Sequence, residues 1–181
     1  PKNLSDGTTM FQNCTSLTEL DLSGWNTSSL TLTTGMFNHC ESLTTLNVST
    51  WDMSKVTDCS LMFQACHLLE NLDLSQWNTA SVKNTMSMFF DCKKLSELNV
   101  GSWNVSNVTN FKQMFSGCAR MEYLHGLGNW NTSNGTDFYA FINKCGSLKE
   151  VDLTKFDTSN ATDLQFFFDE MRSLQKLTLG E

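Results

Sequence analysis

Two columns of polar side chains hold the groups in this chain best placed for chemistry. One reads Glu19, Thr45, Asn71, Glu97, Tyr123, Glu150, Lys176; the other, two residues on, reads Asp21, Asn47, Asp73, Asn99, His125, Asp152, Thr178. Consecutive members lie 26 residues apart, with a single step of 27. Side chains that recur at a fixed period line up when repeats stack, and parallel strands would set them about 4.8 Å apart. Carboxylates that close repel and raise one another's pKa. In the second column Asp alternates with Asn over the first four repeats, which relieves the repulsion and lets each Asn amide donate to an Asp. The columns therefore read either as a satisfied polar ladder or as an acidic recognition surface for a basic peptide, a polyol or Ca²⁺. The candidate binding residues are Glu19, Asp21, Asp73, Glu97, Tyr123, His125, Glu150 and Asp152. Tyr123 and His125, with Arg120 nearby, are where a hot spot would be sought first.

Catalysis finds little support in the residues. His39, His67 and His125 fall on different repeats, and no glycine-rich phosphate loop or metal-ligand helix motif is present. The expectation is a non-catalytic protein with no cofactor and no bound metal. Cysteine has its own column, Cys14, Cys40, Cys66, Cys92, Cys118, Cys145, and a further step of 26 lands on Met171. None of these makes the Cys-x-x-Cys pair that zinc favours. Stacked thiols would lie within disulfide distance, but their Cβ vectors run parallel, so the column reads as buried free thiols that pack as small apolar groups. Cys59 stands outside the column and is expected to be semi-buried.

Formal net charge is −7, from 12 basic and 19 acidic residues. That balance argues against nucleic acid and anionic membrane surfaces, both of which need a basic partner. No apolar run reaches the roughly 18 residues that span a bilayer. A Thr column (Thr31, Thr57, Thr109, Thr136, Thr162) could order water or ice, but Lys83 breaks it. The sequons opened by Asn3, Asn13, Asn26, Asn47, Asn104, Asn107, Asn131, Asn134 and Asn160 mostly follow from the repeat itself and carry little weight.

The elements that hold these columns come from the apolar positions. Leu17, Leu43, Leu69, Leu95, Met121, Leu148 and Leu174 open a Leu-x-x-Leu-x-Leu pattern whose end alternates polar and apolar, the period of a half-buried strand. Seven such strands are expected side by side as a parallel sheet. An aromatic column follows (Trp25, Trp51, Trp77, Trp103, Trp130, Phe156), each member trailed by Asn or Asp, residues that turn a chain holding only one proline. These rings read as pegs pointing inward rather than as a sugar-stacking ladder. The return arm carries Met-Phe-x-x-Cys-x-x-Leu, with apolar spacings of three and four that predict one or two helical turns behind the sheet. The fifth repeat departs from the pattern: Leu124-His125-Gly126-Leu127-Gly128-Asn129-Trp130 contains the extra residue, expected in a kink or surface loop, and Gly135 stands where earlier repeats carry Leu or Val.

The unit Leu-x-x-Leu-Asp/Asn-Leu/Val-Ser-x-Trp-Asn-Thr/Val-Ser-x-Val-Thr-x-x-x-x-Met-Phe-x-x-Cys resembles the BspA-like leucine-rich repeat, also described as the bacterial surface protein 26-residue repeat. The resemblance runs from about residue 10 to 179. It implies an α/β repeat fold, a leucine-rich-repeat solenoid with a parallel sheet on one face and short helical turns on the back. It also implies an extracellular or cell-surface setting and a role in adhesion, and it supplies no catalytic residues. The expected organisation is a single unit over 1–181, with coils beginning near residues 10, 36, 62, 88, 114, 141 and 167, as a segment of a longer array. Two functions remain open. One is recognition of a protein or glycan partner through the strand face. The other is a structural spacer or filament element assembling end to end, because no coil buries its apolar face alone.

Overall fold

The computed structural model describes residues 3–180. Successive repeats lie one on another in parallel register. Among the described residues six short strands form: β1 Glu19–Asp21, β2 Thr45–Asn47, β3 Glu97–Asn99, β4 Tyr123–His125, β5 Glu150–Leu153 and β6 Lys176–Leu179. They pair as β1–β2, β3–β4 and β5–β6, all parallel, with Glu19 opposite Thr45, Glu97 opposite Tyr123 and Glu150 opposite Lys176. The seven-stranded sheet expected from the leucine pattern is thus three separate pairs, and Asn71–Asp73 of the third repeat lies in no strand. At the end of the strand segments an Asp or Asn side chain captures the amide two residues on: Asp21 takes Ser23, Asp73 takes Ser75 and Asn99 takes Gly101. The chain turns at once, and no strand exceeds four residues.

Backbone pairing is continuous on the return arm instead. Bridges run Asp6–Leu32–Asp58–Asn84–Asn110–Asp137–Asp163, joining every repeat to the next. Beyond each bridge the chain does not form the helical turns that the Met-Phe-x-x-Cys spacing predicts. Amides alternate: Thr9, Phe11 and Asn13 donate forward to Thr34, Met36 and Asn38 O, while Met10, Gln12 and Cys14 donate back three residues. A helix would send each of them back four. The residues at the first and last of the forward bonds lie in the left-handed region, as in Leu61 and Ala65 (φ 60° and 57°) or Ser87 and Asp91 (53° and 59°). This is a run of tandem turns, and among the described residues the one helix is a 3-10 turn at Leu127–Asn129.

Among the described residues twelve non-glycine residues carry positive φ, at a cost of about 1–2 kcal/mol each. Each inter-coil hydrogen bond returns only about 0.5–1.5 kcal/mol net. Bonds and strain therefore nearly cancel, and apolar burial decides the outcome at about 1.5–3 kcal/mol per large side chain. Phe11, Phe37, Phe63, Phe89 and Phe115 stack with ring centroids 5.5–5.6 Å apart. Trp25 stacks on Trp51, Trp77 on Trp103 and Trp103 on Trp130, at 6.2–6.3 Å with planes within 9°. The indoles point inward, as expected of pegs, and their N–H groups donate to the preceding coil, from Trp51 to Leu22 O at 3.2 Å through Trp130 to Val100 O at 3.0 Å.

The thiols follow the same rule. Cys40 donates to Phe11 O, Cys92 to Phe63 O and Cys145 to Phe115 O, each at 3.1 Å. All seven cysteines are free, and all but Cys14 are buried. Cys59, expected to be semi-buried, is fully enclosed. Burial pushes the Cys59, Cys92 and Cys145 thiols up to about 12 and Cys40 to about 11.

The extra residue of the fifth repeat is Gly126. Leu127 N-caps nothing and is buried, and its carbonyl accepts from Trp130 N as Val100 O accepts from Trp103 N, so Leu127 continues the Leu22–Val100 column. Gly126, at φ 92°, lies so close to the neighbouring coil that a Cβ would sit 2.2 Å from Gly101 Cα. The expected surface loop is a tight bulge pressed between coils, which only glycine can make.

Candidate functional site

The strand-end column is not a ladder of Asn amides donating to Asp. The Asp21, Asp73 and Asp152 carboxylates accept from the backbone of Ser23, Ser75 and Thr154 at 3.0 Å, and Asn47 and Asn99 do the same for Ser49 and Gly101. Those hydrogen bonds hold Asp21, Asp73 and Asp152 below the usual carboxylate range, the Ser23 and Ser75 amides and the Thr154 hydroxyl being the largest causes. Three of the eight candidates therefore shape the turn that ends the strand.

His125 occupies this column without making such a turn, because Gly126 follows it and the chain bulges. Its ring lies parallel to Tyr123, with centroids 5.7 Å apart and planes within 6°. Its Nε2 is 3.3 Å from Glu97 Oε1 on the paired strand. Tyr123 is 51% exposed, and its hydroxyl has no partner among the described residues. Glu97, Tyr123 and His125 thus form one cluster across β3 and β4. Glu150 is turned to Lys176, at 3.5 Å on β6. Glu19 stands opposite Thr45 at the far end of the stack. The eight candidates do not converge on one site.

Beside the cluster lies a shallow hollow of about 360 Å³, lined by Glu70, Asn71, Lys94, Ser96, Arg120 and Glu122. Lys94 is 3.3 Å from Glu70 and Lys149 3.6 Å from Glu122. A stacked, exposed tyrosine–imidazole pair with the Glu97 carboxylate beside it can take a sugar ring or a planar side chain against its open face.

Sequence reasoning missed a second feature, a cleft of about 410 Å³ on the return arm, walled by Phe90, Asp91, Tyr139, Lys144 and Phe166. Gly117 lines it and interrupts the column Asn13, His39, Ala65, Asp91, Lys144, Glu170, where a Cβ would collide with the Asp91 carboxylate. Lys112 sits 5.0 Å over the Tyr139 ring, and Lys144 reaches Glu170 at 3.7 Å. The glycine was the available signal. The Thr column is likewise structural: the Thr31, Thr136 and Thr162 hydroxyls donate to Ser5, Thr109 and Thr136 O, which leaves no free rank of donors for water. Among the described residues no group of three or more His, Cys, Asp or Glu is placed to hold a metal ion, and no helix is long and apolar enough to cross a membrane.

A family described as "Mycoplasma protein of unknown function, DUF285" matches residues 2–123 and again 89–179, together almost the whole chain. The chain belongs to the DUF285 family. No curated protein matches this DUF285 chain. Among solved structures it is similar to the TLR13 chain in a crystal structure of a TLR13–ssRNA13 complex, with 18% identity, 98% of this chain covered and a TM-score of 0.29. The match spans 34% of that longer chain, and a likeness this loose carries nothing about ligand.

Proposed function

We propose that the DUF285 stack is a leucine-rich-repeat solenoid of the BspA-like kind, serving as a non-catalytic recognition module outside the cell or at its surface. On this reading a protein or glycan partner docks on the strand face at Glu97, Tyr123 and His125. One observation carries it. The Thr, Asn and strand-end Asp columns spend their side chains on the backbone of the stack, whereas the exposed Tyr123 stacks on His125 and its hydroxyl has no partner among the described residues. An exposed aromatic pair beside an ion pair is the composition of a binding hot spot. The buried thiols, held up to about 12 at Cys59, Cys92 and Cys145, support a reading without nucleophilic chemistry.

The test is a glycan array and a panel of immobilised extracellular matrix proteins, probed with the wild-type chain and with Tyr123→Ser, His125→Ala and Glu97→Gln. A ligand whose binding falls at least tenfold in Tyr123→Ser supports the strand-face site. A ligand bound equally by all four proteins removes it.

A further inference from the structure

On the return arm two neighbouring columns break their pattern at one place. The residue after each Met-Phe pair is polar and long in most coils (Gln12, Asn38, Gln64, Asn143, Asp169), but Phe90 in one coil and Ser116 in the next. One position on, Gly117 interrupts a column of side chains. A large ring is thus answered, one coil later, by two of the smallest residues. The following coil adds Ala140, in a column that elsewhere carries Leu61 and Gln113. The result is the cleft of about 410 Å³, its buried lining made by Ser116, Gly117 and Ala140 and its sides by the half-buried Phe90 and Tyr139. All five lie on return arms with a further coil on either side, so the cleft belongs to the inner run of the stack. Its volume falls within the range of about 300–1,000 Å³ typical of small-molecule sites.

The groups around this cleft are unspent in a particular way. Phe90 has no ring partner among the described residues, whereas every other phenylalanine touches at least one ring. Tyr139 is held in place by the Lys112 ammonium, 5.0 Å from its ring centroid, and by Phe166, edge-on at 5.6 Å. Its hydroxyl has no partner among the described residues, and neither has the Gln113 side-chain amide, which also lines the cleft. The Ser116 hydroxyl makes one long bond, 3.4 Å, to Asn143 Oδ1. The carboxylates, by contrast, are paired. Asp91 lies 3.7 Å from Lys93, Glu170 lies 3.7 Å from Lys144, and Asp169 accepts from Asn143 Nδ2 at 3.1 Å. A cation entering here would meet Lys112 and Lys144, and an anion would meet Asp91 and Glu170, so neither sign is favoured. What remains is a bare aromatic face beside a neutral amide and two hydroxyls. That combination suits a neutral polyhydroxyl ring, whose C–H face stacks on Phe90 while its hydroxyls exchange hydrogen bonds with Gln113, Tyr139 and Ser116.

We propose that the return-arm cleft between Phe90 and Tyr139 is a binding site for one neutral sugar ring. It is separate from the Glu97, Tyr123 and His125 cluster on the strand face and does not rest on that reading.

The experiment is saturation-transfer NMR with free glucose, galactose, mannose and N-acetylglucosamine, and with N-acetyltryptophan amide as a planar probe that is not a polyol. Four proteins are compared: the wild type, Phe90→Gln, Ala140→Leu and Tyr123→Ser. Phe90→Gln removes the ring and Ala140→Leu fills the cleft. Each installs a side chain that its own column carries elsewhere, at Gln64 and Leu61, and circular dichroism melts check that both fold. At least one sugar is expected to bind the wild type with Kd of about 1–10 mM, the scale a single small ring allows. Its binding should weaken at least about tenfold in Phe90→Gln and in Ala140→Leu and be unchanged in Tyr123→Ser. The proposal is overturned if no sugar receives saturation, or if the amide probe binds the cleft and no sugar does. Sugar binding that survives Phe90→Gln and Ala140→Leu but is lost in Tyr123→Ser also overturns it, and places the sugar on the strand face instead.

Discussion

Gly135 offers the sharpest test of how the coils share space. Earlier repeats place Leu30, Val56, Val82 or Val108 at this position. Three residues on, they place Thr33, Cys59, Thr85 and Phe111, and the Gly135 repeat places Phe138. A methyl on Gly135 would sit 2.4 Å from Phe138 Cζ and 3.0 Å from Phe111 Cε2, and these two buried rings stack at 4.9 Å. The valine is missing because the rings occupy its place. Gly135→Val should therefore cost about 1–3 kcal/mol by overpacking. Phe138→Thr should cost about 3–5 kcal/mol as a cavity, close to the loss for truncating a buried Phe.

Independent effects would sum to about 4–8 kcal/mol. The double variant instead restores the Val82–Thr85 pair, and its hydroxyl would find Asp163 O, just as Thr85 donates to Asn110 O at 3.1 Å. The Phe111 ring still has to give a few tenths of an ångström. We expect the double variant to lose about 1–3 kcal/mol, a compensating coupling of at least about 1 kcal/mol. Urea denaturation followed by tryptophan fluorescence measures it, with unchanged m-values showing that coil cooperativity is retained. A double variant as unstable as the sum of the singles would refute the idea that ring and valine compete for one volume.

Four further outcomes follow from the same geometry. Gly126→Ala should lower the melting temperature by several degrees, since its methyl meets immovable Gly101 backbone, while deletion of Gly126 should be better tolerated, because Leu127 to Trp130 already keeps the Val100 to Trp103 spacing. At Lys144, exposed and at φ 60°, Gly should be more stable than Ala by about 1 kcal/mol in urea melts, the reverse of the order at Lys83, which lies outside the left-handed region. Native alkylation at pH 8 should label Cys14 and spare Cys59, Cys92 and Cys145, whose thiolate fraction there is about 10⁻⁴ for a pKa near 12; three or more adducts by mass in minutes would contradict the burial. Asp21, Asp73 and Asp152 have folded pKa values below their unfolded ones, so their contribution is fully present above about pH 4–5 and is lost as pH falls through the folded pKa values; Asp73→Asn, which keeps the acceptor that Asn47 and Asn99 use in this column, should flatten the acid limb of the melting curve.

Period and phase were legible in the residues, and local backbone was not. The recurrence of Leu, Trp, Phe and Cys at fixed steps dictates which side chains meet between repeats, and they do meet: Phe on Phe, Trp on Trp, Cys under Phe O. The return arm was read as helical because Met-Phe-x-x-Cys has the right apolar spacing. Nothing in the side chains of Leu61, Ala65 or Phe166 announces positive φ; it belongs to the tandem-turn run as a whole, and Phe166 keeps it with no forward hydrogen bond among the described residues. The strand-end turns were signalled. Asp21-Leu22-Ser23 and Asp73-Leu74-Ser75 have the same Asx-x-Ser form as Asn26-Thr27-Ser28, which was recognised as a turn, but the alternation of Asp and Asn drew the reading toward a ladder.

That correction narrows where a partner can bind. A polar atom already bonded within the stack is available to a ligand only at the cost of the bond it leaves, about 0.5–1.5 kcal/mol net and more where the abandoned group is buried. Trp, Cys and the Thr31 column donate to the preceding coil, Thr33, Thr79, Thr85 and Thr132 to the following one, and Asn107, Asn134 and Asn160 reach the preceding coil through their side-chain amides at 2.7–2.8 Å. The strand-end carboxylates are committed to their own turns. On the strand face this leaves the first column, and there the bulge at Gly126 matters, because it releases the fifth repeat from the turn the others make. The extra glycine frees His125 to stack on Tyr123 and reach Glu97, while the Tyr123 hydroxyl keeps no partner among the described residues. A deletion of Gly126 that preserves the fold should therefore abolish the Tyr123–His125 platform and any binding that depends on it.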